Sequence, residues 1–366
     1  MKPAPELLCA IIVGFPEVLK RGFPMNTRMV AGIVTAILVA SISLTGQSPS
    51  SSYKAPRTPW GDPDFQGIWN GNDLQGIPFQ RAETVGTRAL LNDDEYRQRV
   101  AARDRLVQTD NADFDLEVAE KFESFGAVGG PVSPPPHWLE RSKNVSRQAS
   151  FLIDPPDGRL PPMTPEAQQR QQAQRDAQQA RRATLNGREA DSYTDRSLYD
   201  RCISLGPLGS LTPKIYNSGN RIVQGPGWVA FTNEMIHETR IIPTDGRSNI
   251  SSNITSWMGN SVGHWEGDTL VVITRHVRPE INFQGASLSE QGRLIERFTR
   301  VADGTLEYRM TVEDPKNWTR SWTMMMALPR DDRYGFYEYA CHEGNYTMFN
   351  ILSGARAQEK QGTEER

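Results

Sequence analysis

The sequence predicts a mainly β protein: an antiparallel meander closing into a barrel or sandwich, with helical decorations towards the N-terminus. Two observations carry this. Beyond about residue 212 the chain repeats a hairpin unit, in RIVQGPGWVAF around Gly225 to Gly227, HWEGDTLVVIT around Gly267 and Asp268, and LIERFTRVADGTLEYRMTV around Asp303 and Gly304. In the last unit Leu306, Tyr308, Met310 and Val312 alternate with Thr305, Glu307, Arg309 and Thr311, the period-two pattern of a half-buried strand. Consecutive half-buried hairpins hide their edges by curling into a barrel or pairing as a sandwich.

The N-terminal elements follow in order. Met29 to Ala40 is apolar apart from Thr35 and is preceded by Arg28, a charged region and core of signal-peptide length, with small residues at Ser41, Ser43 and Gly46 after it. Residues 1–46 are therefore expected to be a signal or pre-region, with translation starting at Met1 or Met25. The expected location is periplasmic or secreted, with a mature start between residues 41 and 50. The run is too short for a spanning helix, so no membrane association is expected after processing.

Residues 47–211 are expected to form an N-terminal segment of surface helices and Pro/Gly-rich loops, and residues 212–357 the β-rich meander, the two making one domain. A first short strand is expected at Gly67 to Trp69. Asn92 and Glu95 form a capping box for a helix from Asp93 to about Leu106. GAVGGPVSPPP at 126–136 breaks regular structure. Thr164 and Pro165 open a polar helix running to about Thr184. PPDGR at 155–159 and PTDGR at 243–247 each read as a turn after a strand.

Lys and Arg number 41 against 44 Asp and Glu, a net charge of −3, which gives no electrostatic footprint for nucleic acid. Of three cysteines, Cys9 lies upstream of the cleavage region, leaving Cys202 and Cys341. In an oxidising compartment such a pair reads as a disulfide; the rival reading keeps Cys341 as a thiol beside His342.

Three of the five histidines lie in dense polar-aromatic segments, each within two residues of a glutamate: His237 with Glu238, His264 with Glu266, and His342 with Glu343. A carboxylate on one imidazole nitrogen fixes the tautomer and raises the basicity of the other. These six residues are the candidate catalytic set, converging at a barrel mouth, with Arg240, Trp265, Tyr339 and Tyr346 as substrate contacts. On a strand 235–242, His237 shares a face with Met235, Thr239 and Ile241. The chemistry expected is elimination, hydration, isomerisation or hydrolysis of a small, partly apolar organic molecule. No organic cofactor is expected, since dinucleotide and phosphate-loop fingerprints are absent. The same histidines could instead hold zinc or non-haem iron, although there is no HExxH. A third alternative is a non-catalytic binding barrel lined by Trp228, Trp257, Trp265, Trp318 and Trp322.

PWGDPDFQGIW, DPPDGR followed by MTPEA, NEMIH with RIIPTDGR, GHWEGDTLVV, TVEDP and YEYACHEGNY together resemble an abundant family of exported bacterial proteins of about this length. The resemblance covers nearly the whole mature chain. It implies one continuous exported protein and carries no settled activity.

Overall fold

The computed structural model describes residues 53–110, 139–184, 190–250 and 254–364, all within one compact unit, Tyr53–Arg366. The apolar run from Met29 to Ala40, the cleavage region and the 126–136 segment lie outside the described residues.

Two antiparallel sheets face each other. The smaller contains β1 (Gly67–Asn70), β3 (Gly219–Gly225), β4 (Trp228–Asn233) and β5 (Thr239–Pro243), in the order β1-β3-β4-β5. The larger runs β2 (Leu152–Asp154), β12 (Trp322–Pro329), β11 (Thr305–Glu313), β10 (Arg293–Ala302), β7 (Thr269–Arg275), β6 (Asn260–Glu266). A short hairpin joins β8 (Asn282–Phe283) to β9 (Ala286–Ser287). Neither sheet closes on itself, so the fold is a sandwich and not a barrel.

The alternation that predicts the strands also builds the core. Leu294 and Phe298 on β10, Tyr308 and Met310 on β11, and Met324 and Met326 on β12 are all buried on one face. Ile222, Val229, Phe231 and Ile242 come towards them from the smaller sheet and join the same apolar cluster. Phe231 and Phe298 meet across the interface with ring centroids 4.5 Å apart. The three expected hairpins turn where the glycines stand, β3 to β4, β6 to β7 and β10 to β11.

Between the sheets sits a buried ion pair. Arg240 of β5 donates to both carboxylate oxygens of Glu296 on β10, at 2.6 and 2.8 Å. Thr274 and Tyr308 donate to the same carboxylate at 2.9 and 3.1 Å. Burial works against the Arg240 charge, but Glu296 more than restores it, and its pKa stands above the ordinary arginine value.

The helices are α1 (Asp93–Asp110), α2 (Pro165–Thr184), α3 (Gly206–Leu211) and α4 (Tyr346–Glu364). The capping box of α1 forms as expected: Glu95 N–H donates to Asn92 Oδ1, and Asn92 N–H to Glu95 Oε2, both at 2.9 Å. Thr164 caps α2, accepting from the Ala167 amide at 3.2 Å.

Two expectations need correcting. Met235–His237 is a 3-10 turn and β5 begins only at Thr239, so there is no strand 235–242. The face carrying Thr239 and Ile241 is the outer, solvent-facing one, with Ile241 66% exposed, while Arg240 and Ile242 point inward. Furthermore, the last strand ends at Pro329, and YEYACHEGNY forms turns leading into α4, which runs beyond residue 357. Gly344 and Asn345 favour turns, and Asn345 ties the segment to the Asp200 carbonyl at 3.0 Å.

Candidate functional site

The C-terminal ends of β1 and β4 and the N-terminal end of β3 lie together, with Asn70 opposite Gly219 and Asn220 opposite Asn233. Across this end runs an irregular strap, residues 331–345. It begins with the Asp331 amide donating to the Ile68 carbonyl at 2.9 Å. Gly219 lets the strap approach: a Cβ there would stand 2.6 Å from the Tyr334 ring and 2.8 Å from the Glu234 carboxylate.

Glu234, 1% exposed, is the centre of this arrangement. Its Oε1 accepts from Asn217 Nδ2 at 2.9 Å and the Tyr337 amide at 3.1 Å. Its Oε2 lies 2.6 Å from the Tyr334 hydroxyl and accepts from the Gly219 amide at 3.3 Å. The same Tyr334 hydroxyl is 2.8 Å from Glu140 Oε1, and Asn72 Nδ2 donates to Glu140 Oε2 at 2.9 Å. A phenol carries one proton, so Tyr334 donates to one carboxylate at a time. Burial, and then the bond to Glu234, push the Tyr334 phenol far above its ordinary pKa.

Glu140 stands in the wall of two clefts. The smaller, of about 460 Å³, is lined also by Asn72, Arg141, Lys143, Arg330 and Tyr334. The larger, of about 880 Å³, is lined by Tyr199, Tyr216, Tyr337 and Tyr339, together with Met348 and Ile351 of α4. Tyr199 places its hydroxyl 2.8 Å from that of Tyr216 and 3.4 Å from that of Tyr339. Burial pushes the Tyr339 phenol up to about 12, and burial with the Tyr216 bond raises Tyr199 further, so both remain neutral hydroxyls at ordinary pH.

His237 joins this end of the molecule through a strained turn. Ile236 and His237 both have positive φ, 64° and 47°, a region costly for any side chain and most of all for a β-branched one. The turn brings His237 Nδ1 within 2.8 Å of the Tyr339 carbonyl oxygen. A carbonyl only accepts, so in the neutral ring Nδ1 carries the proton and Nε2 keeps its lone pair.

The other expected site residues go elsewhere. Glu238 turns away from His237 and accepts from Ser210 Oγ at 3.1 Å and the Leu205 amide at 3.2 Å. Nearby, burial lowers the Lys214 amine to about 7 against the opposing pull of Glu238. Lys214 is half-buried, and its amine donates to the Ser210 and Thr212 carbonyls at 2.7 and 2.9 Å. His264 and Glu266 pair at 3.1 Å on the outer face of the larger sheet, where Arg297 also donates to Glu266 at 2.7 Å. They are not brought to His237. His342 and Glu343 are exposed in the strap after Cys341.

Of the expected substrate contacts, Tyr339 lines the larger cleft. Arg240 is engaged in the core, and Trp265 packs edge-on against Phe65 at 5.3 Å. Tyr346 opens α4 and is 75% exposed. Cys202 and Cys341 form the expected disulfide, with Cα atoms 5.8 Å apart, on the wall of the larger cleft. Among the described residues no group of three or more His, Cys, Asp or Glu stands close enough to hold a metal ion.

Sequence patterns alone did not single out Glu140, Glu234, Tyr334, Tyr199 or Tyr216. Glu234 and Tyr334 sit beside quoted motifs, in NEMIH and just ahead of YEYACHEGNY, and the density of polar and aromatic residues there was the available signal. Glu140 had none. No protein-family model matches the chain, and no curated protein is found to resemble it.

Proposed function

We propose that this is an exported enzyme that moves protons on a small, partly apolar organic molecule bound in the clefts that meet at Glu140. The observation that carries the proposal is the Tyr334 hydroxyl held between two carboxylates, 2.6 Å from Glu234 and 2.8 Å from Glu140. Glu140, facing both clefts, is the group that takes a proton from the substrate or returns it. Tyr334 relays by taking the proton from Glu140 as it hands its own to Glu234, and the reverse shift returns it. Nε2 of His237 offers a second basic atom at the same end of the sheet. Elimination, hydration, isomerisation and hydrolysis all need such a pair, and a positioned acid or base contributes roughly 10²- to 10⁴-fold. The Cys202–Cys341 disulfide supports an oxidising compartment.

The test is isotope exchange. Small hydroxy acids, ketones and esters are incubated with the protein in deuterated water and followed by mass spectrometry for deuterium uptake or gain and loss of water. Glu140→Gln is expected to slow the reaction by about 10² or more, with circular dichroism unchanged. A Glu140→Gln variant as active as the parent would sink the mechanism, and no turnover of any compound would leave a carrier as the better account.

A further inference from the structure

The larger cleft differs in character from the smaller one that shares Glu140. The smaller is lined by Arg141, Lys143, Arg330 and Arg333 beside its acids. The larger has four tyrosines in its wall and no lysine, arginine or histidine among the described residues that line it. Tyr216 and Tyr339 lie nearly parallel, 22° apart with centroids at 6.4 Å, and the hydroxyl bonds to Tyr199 hold both rings in place. Tyr337, 73% exposed, stands at the rim. All of these are electron-rich π surfaces, and those of Tyr199 and Tyr339 are kept neutral by their raised pKa values.

A neutral phenol face attracts a cation through its quadrupole, and most strongly where the cation has little water to lose. The acids on the same wall select the same sign. Asp200 already has Arg196 at 3.2 Å, but Glu140 and Glu338 have no cationic partner among the described residues. An anionic ligand would meet these carboxylates with nothing to offset them. A purely apolar ligand would take water from these carboxylates and bring them no countercharge.

We propose that the larger cleft binds an organic cation, an alkylammonium or quaternary ammonium group caged by the tyrosine rings, with its apolar part against Met348 and Ile351. The inference rests on the site proposed above and narrows its substrate to amine-bearing molecules.

Binding is measured apart from turnover, so that the two proposals can fail separately. Isothermal titration of the whole mature protein compares choline with 3,3-dimethyl-1-butanol, its uncharged carbon isostere, and with acetate. Choline is expected to bind roughly tenfold more tightly than the isostere, and acetate not at all. Tyr337→Leu and Glu338→Gln, both at exposed positions, are expected to weaken choline several-fold and to leave the isostere unchanged. Equal affinity for choline and the isostere, no choline binding at millimolar concentration, or preference for acetate would each overturn the cation proposal while leaving the exchange test untouched. Choline binding without exchange of any substrate would keep the cation site and discard the enzyme.

Discussion

At the residue scale the most consequential pair is Arg240 and Glu296. Both are almost fully enclosed between the sheets, the guanidinium meets the carboxylate through two hydrogen bonds, and Thr274 and Tyr308 complete the acceptor. Removing one partner strands the other in the core. Glu296→Ala is expected to cost about 3–5 kcal/mol, read as a fall in the urea midpoint, whereas the double change Arg240→Met with Glu296→Leu should lie close to the parent. A single variant no worse than the double would mean that the charge pair is not what holds this part of the interface. The sequence drew Arg240 towards a substrate role because it sits two residues from Glu238 in a polar segment. Its strand parity told otherwise: Arg240 shares its face with Ile242, which is fully buried. Parity could be used only once the start of β5 was known. That start depends on positive φ at Ile236 and His237, for which neither residue type gives a signal.

At the element scale the strap, residues 331–345, is held by a different set of interactions from the strands beneath it. Side-chain bonds to Glu234, the His237 contact to Tyr339 and the Cys202–Cys341 bridge fasten it, with no sheet ladder. The bridge spans 139 residues of sequence, and closing so long a loop removes about 5 kcal/mol of unfolded-state freedom in the chain-entropy model. Replacing both cysteines by serine should therefore lower global stability and, in hydrogen exchange, speed the amides of the strap first. The amides of β10 and β11 should keep their rank as the slowest. Uniform acceleration of strap and strands would show the strap to be one cooperative unit with the sandwich. The hairpins were legible because period-two alternation between glycine turns is a local signal, and the two helices with capping residues were legible for the same reason. The strap was not. Its order comes from partners far away in sequence, such as Glu140, which lies 194 residues from Tyr334.

At the scale of the whole molecule, the chain from Tyr53 onward is one unit, and the export proposal concerns what precedes it. Intact-mass measurement of the exported product should give an N-terminus between residues 41 and 50, because small residues follow the apolar run from Met29. A product retaining Met29 to Ala40 would make that run an anchor. The pairing of β2 with β12 bears on the same journey. Leu152 and Asp154 find their partners at Met324 and Thr323, and β1 waits for β3, some 150 residues further on. Loop closure on that scale must precede the contacts that reward it, which slows folding to the range of β-rich, high-contact-order proteins. The larger sheet therefore stays open along β11, with β2 unpaired, until β12 near the end of the chain has been made. A polypeptide that cannot finish folding early remains threadable for longer, which is the form a narrow translocation channel would require if the chain is exported.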